Sequence, residues 1–361
     1  MQQSVIFCLK ETRCSGSTLM ALECIKVLPR NTFVNILCRY NQDPSELYSI
    51  LSDYQVKIIE SSSWINYCFK FIRLTRKKNS LIHTHSSVVG YLIRFIGFKY
   101  KNKIIHTIHG ISFHDHSNFL IKFIGRNLDY YLSKYFTKTN VSVNNFYVET
   151  FFHDLNNIEV IPNCSFYRNE NENQDKVLVK NAIIFCARLD EQKNPLAFIR
   201  IIAEIKDTIL KNGFRVCIFG DGSLKDEMLS VIKQNNITDL VEFFGWVDWK
   251  SKFYFENCIH VLTSKWEAFG LTIIEMAEFD IPTIAYNTEG IPEVIENNVT
   301  GFIIEDFNSN DFIFTIKRLI NEKELTLMLG KNAKDIYRDK FNPQKYKDSY
   351  KKIYSKFIKQ L

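Results

Sequence analysis

Apolar residues fall in short continuous runs, and each run is followed by a stretch with helical periodicity. The runs at 4–9, 33–38, 56–59, 81–86, 103–108 and 140–143 predict strands buried on both faces. So do those at 181–189, 215–219, 241–247, 258–262 and 281–286. Between them, 19–25, 67–78, 88–98, 119–136 and 271–279 predict amphipathic or buried helices, and 346–358 predicts a final one. Strand followed by helix, repeated along the whole chain, predicts an α/β architecture built on parallel sheets.

The length divides that pattern in two. At 361 residues the chain exceeds one ordinary core. An Asn, Glu, Asp and Lys-rich stretch at 166–181 reads as a linker. The predicted organisation is a first doubly wound domain over 1–165, a second over 166–345, and a closing helix over 346–361 that packs back on the first. No apolar run approaches the ~18 residues of a membrane span. Residues 1–16 do not read as a secretory signal, because Lys10 and Glu11 cut a short apolar run. Nine cysteines stand singly, most inside apolar runs, as Cys8, Cys38, Cys186, Cys217 and Cys258 do. They read as small buried hydrophobes in a reducing compartment, not as disulfides or metal ligands. The net charge of +6 is uneven. Residues 1–165 carry 19 Lys and Arg against 11 Asp and Glu, a surplus of +8; the remainder carries 27 against 29. The basic half suggests an anionic surface or substrate on that side, or a solubilising bias.

Candidate chemistry sits where predicted strands end. Gly16 lies in a small-residue loop between the first strand and first helix, a phosphate-binding arrangement. The run at 81–86 ends in His83-Thr84-His85, and that at 103–108 leads into His109-Gly110. In the second half, Arg188-Leu189 precedes Lys193-Asn194-Pro195, Gly220 and Gly222 follow a strand, and Trp246-Val247 follow another. The densest stretch is Glu267-Ala268-Phe269-Gly270-Leu271, with Glu275 eight residues after Glu267. Glu267 falls in a strand-to-helix loop and Glu275 in the helix that Gly270 opens.

Taken in this order, the motifs resemble those of the retaining glycosyltransferases of family 4, glycosyl transferases group 1. The resemblance implies the GT-B fold, two facing Rossmann-like doubly wound domains with a cleft between them. It implies that Arg188 and Lys193 grip the donor diphosphate, and that His109 and Glu267 face the donor sugar and reacting centre. Ala268, Phe269, Gly270 and Leu271 would line the sugar and phosphate site, the last three through their backbone N–H groups. Glu275 would accept from the ribose hydroxyls, Gly220 and Gly222 would line the nucleotide, and the backbone near Trp246 and Val247 would read the base; the Trp246 indole itself reads equally as core. His85 would face the cleft on the acceptor side. The chain departs from the family at Ser15-Gly16-Ser17, where a glycine pair is usual, and at Cys164, where glycine follows Pro-Asn.

The function implied is transfer of a sugar from a UDP- or GDP-sugar to an acceptor hydroxyl, with retention. The expected acceptor is a lipid-linked saccharide of bacterial surface polysaccharide biosynthesis, O-antigen or capsule. The expected location is cytoplasmic, peripheral on an anionic inner membrane face. No nucleic-acid partner and no cofactor are expected. No metal is expected either, because no Asp-x-Asp occurs and two cations are available. Two other classes remain open: a non-hydrolysing nucleotide-sugar epimerase on the same fold, and a silent nucleotide-binding or membrane-docking module.

Overall fold

The computed structural model describes residues 4–13, 15–40, 43–76, 80–114, 118–165 and 176–358. They form two compact units, 1–163 with 343–361 and 164–342.

In the first unit seven strands make one parallel sheet: β1 (Ser4–Glu11), β2 (Phe33–Arg39), β3 (Val56–Ser61), β4 (Leu81–His85), β5 (Ile104–Ile108), β6 (Thr139–Ser142) and β7 (Ile158–Val160). Their order is β3-β2-β1-β4-β5-β6-β7. The order reverses between β1 and β4, so the crevice at their carboxyl ends is the position where such sheets take ligands. β1 is buried over most of its length, which is why it reads as an unbroken apolar run. Tyr67 and Phe71 of the helix Trp64–Arg76, and Val89 and Ile93 of the helix Ser87–Ile96, pack with Ile6, Cys8, Leu37, Ile82 and Ile104. The closing helix, Pro343–Ser355, belongs to this unit. It buries Tyr346, Tyr350, Ile353 and Tyr354, and the Tyr346 hydroxyl donates to the Met20 carbonyl at 3.1 Å.

In the second unit six strands make a parallel sheet: β8 (Val177–Cys186), β9 (Arg215–Phe219), β10 (Val241–Gly245), β11 (Phe253–Leu262), β12 (Thr283–Tyr286) and β13 (Gly301–Ile304). Their order is β10-β9-β8-β11-β12-β13, with the reversal between β8 and β11. Alternation along β8 sends Ile183 and Phe185 to one face, against the helices Pro195–Glu204 and Ser309–Asn321, and Ile184 and Cys186 to the other, with Phe219, Trp249 and Met276.

Two expectations about extent change. The stretch 166–181 was expected to be a linker; 166–175 lie outside the described residues, but 177–181 are the first half of β8. Their partner is an equally unanticipated extension of β11 back to Phe253, in register from Phe253 opposite Val177 to Glu256 opposite Lys180. Both strands then kink at asparagines in left-handed backbone, Asn181 (φ 49°) and Asn257 (φ 53°), and the Asn257 amide donates to Asn181 Oδ1 at 2.7 Å. Asparagine tolerates that conformation, so the matched kinks keep the ladder in step.

No disulfide joins the described cysteines, and Cys68 alone of them is not buried. Burial pushes the Cys38, Cys217 and Cys258 thiols up to about 12. No helix among the described residues is long and apolar enough to cross a membrane.

Candidate active site

The second unit gathers its site residues at the carboxyl end of β8 and β11. β8 ends at Cys186, and the chain turns through Arg188 to Lys193 before the helix Pro195–Glu204. Asn194 caps that helix in left-handed backbone (φ 52°), and Lys193 N–H donates to Asp190 Oδ1 at 3.1 Å. The loop after β11 meets this turn. Thr263 Oγ1 donates to the carbonyls of Lys193 (3.1 Å) and Asn194 (3.0 Å), and Lys265 N–H donates to the Gln192 carbonyl at 2.8 Å.

On that frame Lys193 Nζ and Glu267 Oε2 form a largely buried ion pair. Ser264 Oγ donates to the same oxygen at 3.4 Å, and Gly270 N–H donates to Oε1 at 3.2 Å. Arg188 is held by Asp190 Oδ2 at 2.6 Å and by Gln192 Oε1 at 2.7 Å. Gln192 Nε2 in turn donates to the carbonyl of Trp266, the residue before Glu267, at 3.1 Å. Arg188, Lys193, Glu267 and Gly270 therefore belong to one hydrogen-bonded chain. An ammonium has three N–H donors and Glu267 occupies one. His260 lies beneath, on β11, with Nδ1 against Thr283 Oγ1 at 2.9 Å. Burial, with the Lys193 charge, holds it down at about 3, so it is neutral.

Glu275 sits in the helix Leu271–Ala277 and pairs with Lys250 at 2.6 Å. Burial works to lower Lys250, but the Glu275 carboxylate outweighs it and leaves the ammonium above its ordinary value. Gly220 and Gly222 permit tight contacts. Gly220 has φ 151°, and a Cβ there would lie 1.9 Å from the Ala187 carbonyl oxygen; at Gly222 it would lie 2.4 Å from that of Leu189. These glycines press the loop after β9 against the turn that carries Arg188. Trp246 follows β10 with about half its surface exposed, while Val247 packs into the Phe219–Trp249 cluster.

One expectation for the densest stretch shifts. The Gly270 N–H points at the Glu267 carboxylate and is occupied. Gly270 is instead required by its left-handed backbone (φ 78°) and by Ile273, whose Cδ1 would lie 2.6 Å from an added Cβ. Ala268 and Phe269 are buried, and the Phe269 ring meets Phe341 edge-on at 5.2 Å. Leu271 opens the helix.

The first unit's candidates sit at the ends of β1, β4 and β5. Gly16 is the first residue of the helix Gly16–Lys26, after Ser15, whose hydroxyl bonds those of Ser17 (3.4 Å) and Thr18 (3.2 Å). His85 Nδ1 and His109 Nε2 are 2.8 Å apart and their rings stack. Burial pushes His109 down to about 4 and His85 well below its ordinary value. Behind them His83 bonds the Tyr354 hydroxyl (2.7 Å) and the Thr107 hydroxyl (2.8 Å), and Thr107 bonds Tyr350 at 3.1 Å. The closing helix thus props the histidines from below. Ser86, directly after β4, has φ 75°, a costly conformation for a residue with a Cβ.

Cys24, His83 and His85 bring three potential ligand atoms within 4.8 Å of one another. Both His83 nitrogens already face hydroxyls, and burial raises the Cys24 thiol to about 12. Metal binding needs deprotonated ligands with open lone pairs, so this trio fits a neutral hydrogen-bonded core better.

Lys250, Gln192, Tyr350 and Tyr354 escaped the sequence reading. Lys250 is 25 residues from its partner and Tyr354 is 271 from His83, so no local spacing announces either. One signal was present: the two-residue periods of His83 with His85, and of Thr107 with His109, put those side chains on one face of adjacent strands.

Residues 167–336 match the family described as glycosyl transferases group 1. Over 94% of its length, and 93% of the relative's, the chain is 26% identical to the UDP-Gal:alpha-D-GlcNAc-diphosphoundecaprenol alpha-1,3-galactosyltransferase of Escherichia coli. Over 44% of each chain it is 30% identical to a GalNAc-alpha-(1->4)-GalNAc-alpha-(1->3)-diNAcBac-PP-undecaprenol alpha-1,4-N-acetyl-D-galactosaminyltransferase of Campylobacter jejuni. The fold matches Anabaena HepE, solved in complex with UDP and glucose, with a TM-score of 0.80 at 15% identity, covering 99% of this chain and 100% of that one. The fold is therefore GT-B.

Proposed function

We propose that this chain transfers a sugar, with retention, from a UDP-sugar to a hydroxyl of a saccharide carried on an undecaprenyl diphosphate, a reading supported by the match of residues 167–336 to the glycosyl transferases group 1. The observation that carries the reading is the chain from Arg188 through Gln192 to Glu267 and Lys193 at the β8/β11 reversal. It holds two cations and a carboxylate in a preformed frame, which is what stabilising a departing diphosphate requires. The E. coli relative's name supports UDP as the nucleotide, and both bacterial relatives' names support the lipid carrier.

In this reading the bond between the sugar's anomeric carbon and the diphosphate oxygen breaks, and Lys193 and Arg188 take up the charge that collects on the leaving phosphate. The acceptor oxygen attacks the same face and its proton passes to that phosphate oxygen. Glu267 favours this route over a covalent intermediate. Its two oxygens accept from Lys193, Ser264 and Gly270, and those bonds damp its nucleophilicity while suiting it to orient sugar hydroxyls. His109, neutral at pH 7, serves as a hydrogen-bonding group toward the sugar, and His85 fixes its ring. Glu275 takes the ribose hydroxyls beside Lys250. Arg188 and Lys193 fill the role of a divalent metal, so transfer proceeds with chelator present. The basic surplus of residues 1–165 suits an anionic membrane face where the lipid carrier resides.

The test is UDP release from a UDP-sugar with an undecaprenyl-diphosphate saccharide, with EDTA, and with the product's anomeric configuration read by NMR. An α-linked product formed in EDTA supports the reading. A changed sugar still attached to nucleotide, made without acceptor, would overturn it in favour of epimerisation.

A further inference from the structure

The helix Phe119–Tyr135 is amphipathic in the wrong sense for a packed element. Apart from Leu132, its positions facing the first unit are small or polar. Asp129 and Ser133 are buried, both bonded to Arg94 of the helix Ser87–Ile96 (2.6 and 2.9 Å), and Gly125 lies against Phe113. With about 100° per residue, the opposite arc carries Leu120, Ile124, Leu128, Tyr131 and Tyr135, flanked by Phe119 and Phe123. All seven are exposed: Phe119 by 78%, Leu120 by 66%, Phe123 by 60% and Ile124 by 59%. Scattered surface apolar residues need no explanation, but a helix whose apolar arc points away from its own core does. Over 119–128 nothing in the described protein covers that arc.

We propose that the first half of this helix lies in the interfacial layer of an anionic membrane, with its apolar arc among the acyl chains. Three features select a lipid surface over a protein partner. Residues 118–128 contain Lys122 and Arg126 and no acid, and the one acid that follows, Asp129, is buried against Arg94. Tyr131 and Tyr135 continue the arc toward the other end, where amphipathic rings suit the headgroup level. The neighbouring helix adds exposed Phe95, and the turn after it adds Phe98 with Lys99, Lys101 and Lys103. Apolar arc, flanking cations and terminal aromatics together describe a helix lying in a bilayer surface. The inference rests on the lipid-carried acceptor proposed above and extends it. Charge attraction alone would be lost in salt, whereas insertion persists.

Co-sedimentation of the full chain with vesicles of phosphatidylcholine, with and without phosphatidylglycerol, tests this. At low salt the chain should bind the anionic vesicles. In about 1 M salt, where the Debye length falls to ~3 Å, a substantial fraction should stay bound. Phe123→Ser with Ile124→Ser should weaken binding by about tenfold or more at both salt concentrations. Lys122→Gln with Arg126→Gln should weaken it at low salt only. Phe123, Ile124 and Arg126 are exposed and Lys122 is half-buried, so circular dichroism should show an unchanged fold. Equal vesicle binding by the Ser variant, or complete release of the wild type by salt, would overturn the proposal. So would a wild-type dimer that ignores vesicles and that the Ser variant turns into a monomer. UDP binding and turnover of a short water-soluble acceptor, measured on the same samples, separate the two readings. Intact turnover with no vesicle binding defeats insertion alone, and vesicle binding without nucleotide binding defeats transfer alone.

Discussion

At the strand ends of the first unit the polar groups are histidines and hydroxyls held neutral by burial; at those of the second they are ions held in pairs. His83, His85, His106 and His109 are all pushed below their ordinary values, chiefly by desolvation. Lys193 with Glu267, and Lys250 with Glu275, stand in direct ion pairs. The two sheets share a topology, so the fold does not dictate the difference. In the reading proposed above it follows from what each end would hold: uncharged sugar hydroxyls suit neutral imidazoles, and a diphosphate needs cations.

The largest test removes a cation. Lys193→Ala should cut kcat/KM by roughly a thousandfold, in line with losing a preorganised charge contact. Glu267→Gln should fall comparably while keeping Lys193 in place. UDP-release kinetics read both, and a fall under tenfold in Lys193→Ala would move the diphosphate elsewhere.

Acid should separate the units. A buried histidine whose pKa is lowered binds its proton more readily in the unfolded chain. The stability it contributes is therefore complete above about pH 6.5 and is lost as pH falls below that. For His109, lowered to about 4, each pH unit between 6.5 and 4 costs about 1.4 kcal/mol. The first unit holds four such histidines, whereas the second holds His260. Hydrogen exchange at pH 5 should thus show the first unit opening well before the second. Simultaneous opening, or the reverse order, would mean that the histidines are solvated.

A third variant probes the prop beneath them. Tyr354→Phe leaves His83 Nδ1 buried without its partner and should cost about 1–3 kcal/mol. Thermal unfolding reads the loss, and KM for donor should hardly move, because the hydroxyl touches His83 and not the site.

This division also decides what was legible from sequence. In the second unit Arg188 and Lys193 stand five residues apart, and Glu267, Gly270 and Glu275 within nine, so short spacing carries most of the arrangement. In the first, the arrangement depends on the β4–β5 register and on a helix at the far end of the chain, which no window spans. Periodicity announced an amphipathic helix near 119–136, but only the structure shows that its apolar arc faces out. The first half of β8 was misread for a related reason: 177–180 follow a polar tract and include Lys180, and their pairing with an equally mixed segment of β11 is non-local.

The finest test concerns Glu275. If its carboxylate serves the ribose, then Lys250, bonded to it at 2.6 Å, is a positioning residue that neither touches the reacting atoms nor meets the diphosphate. Lys250→Met keeps the length of the side chain and its packing beside the Trp249 ring but removes the charge. The carboxylate then loses a fixed orientation while still able to accept hydrogen bonds. KM for the UDP-sugar should rise by about three- to tenfold with kcat nearly unchanged, the signature of weakened uniform binding. Glu275→Gln should raise KM further. A deoxyribose donor, lacking one partner hydroxyl, should narrow the gap between wild type and both variants. A matching fall in kcat for Lys250→Met would instead place this pair with the charged chain around Glu267, and the second unit would have one ionic site where two are now drawn.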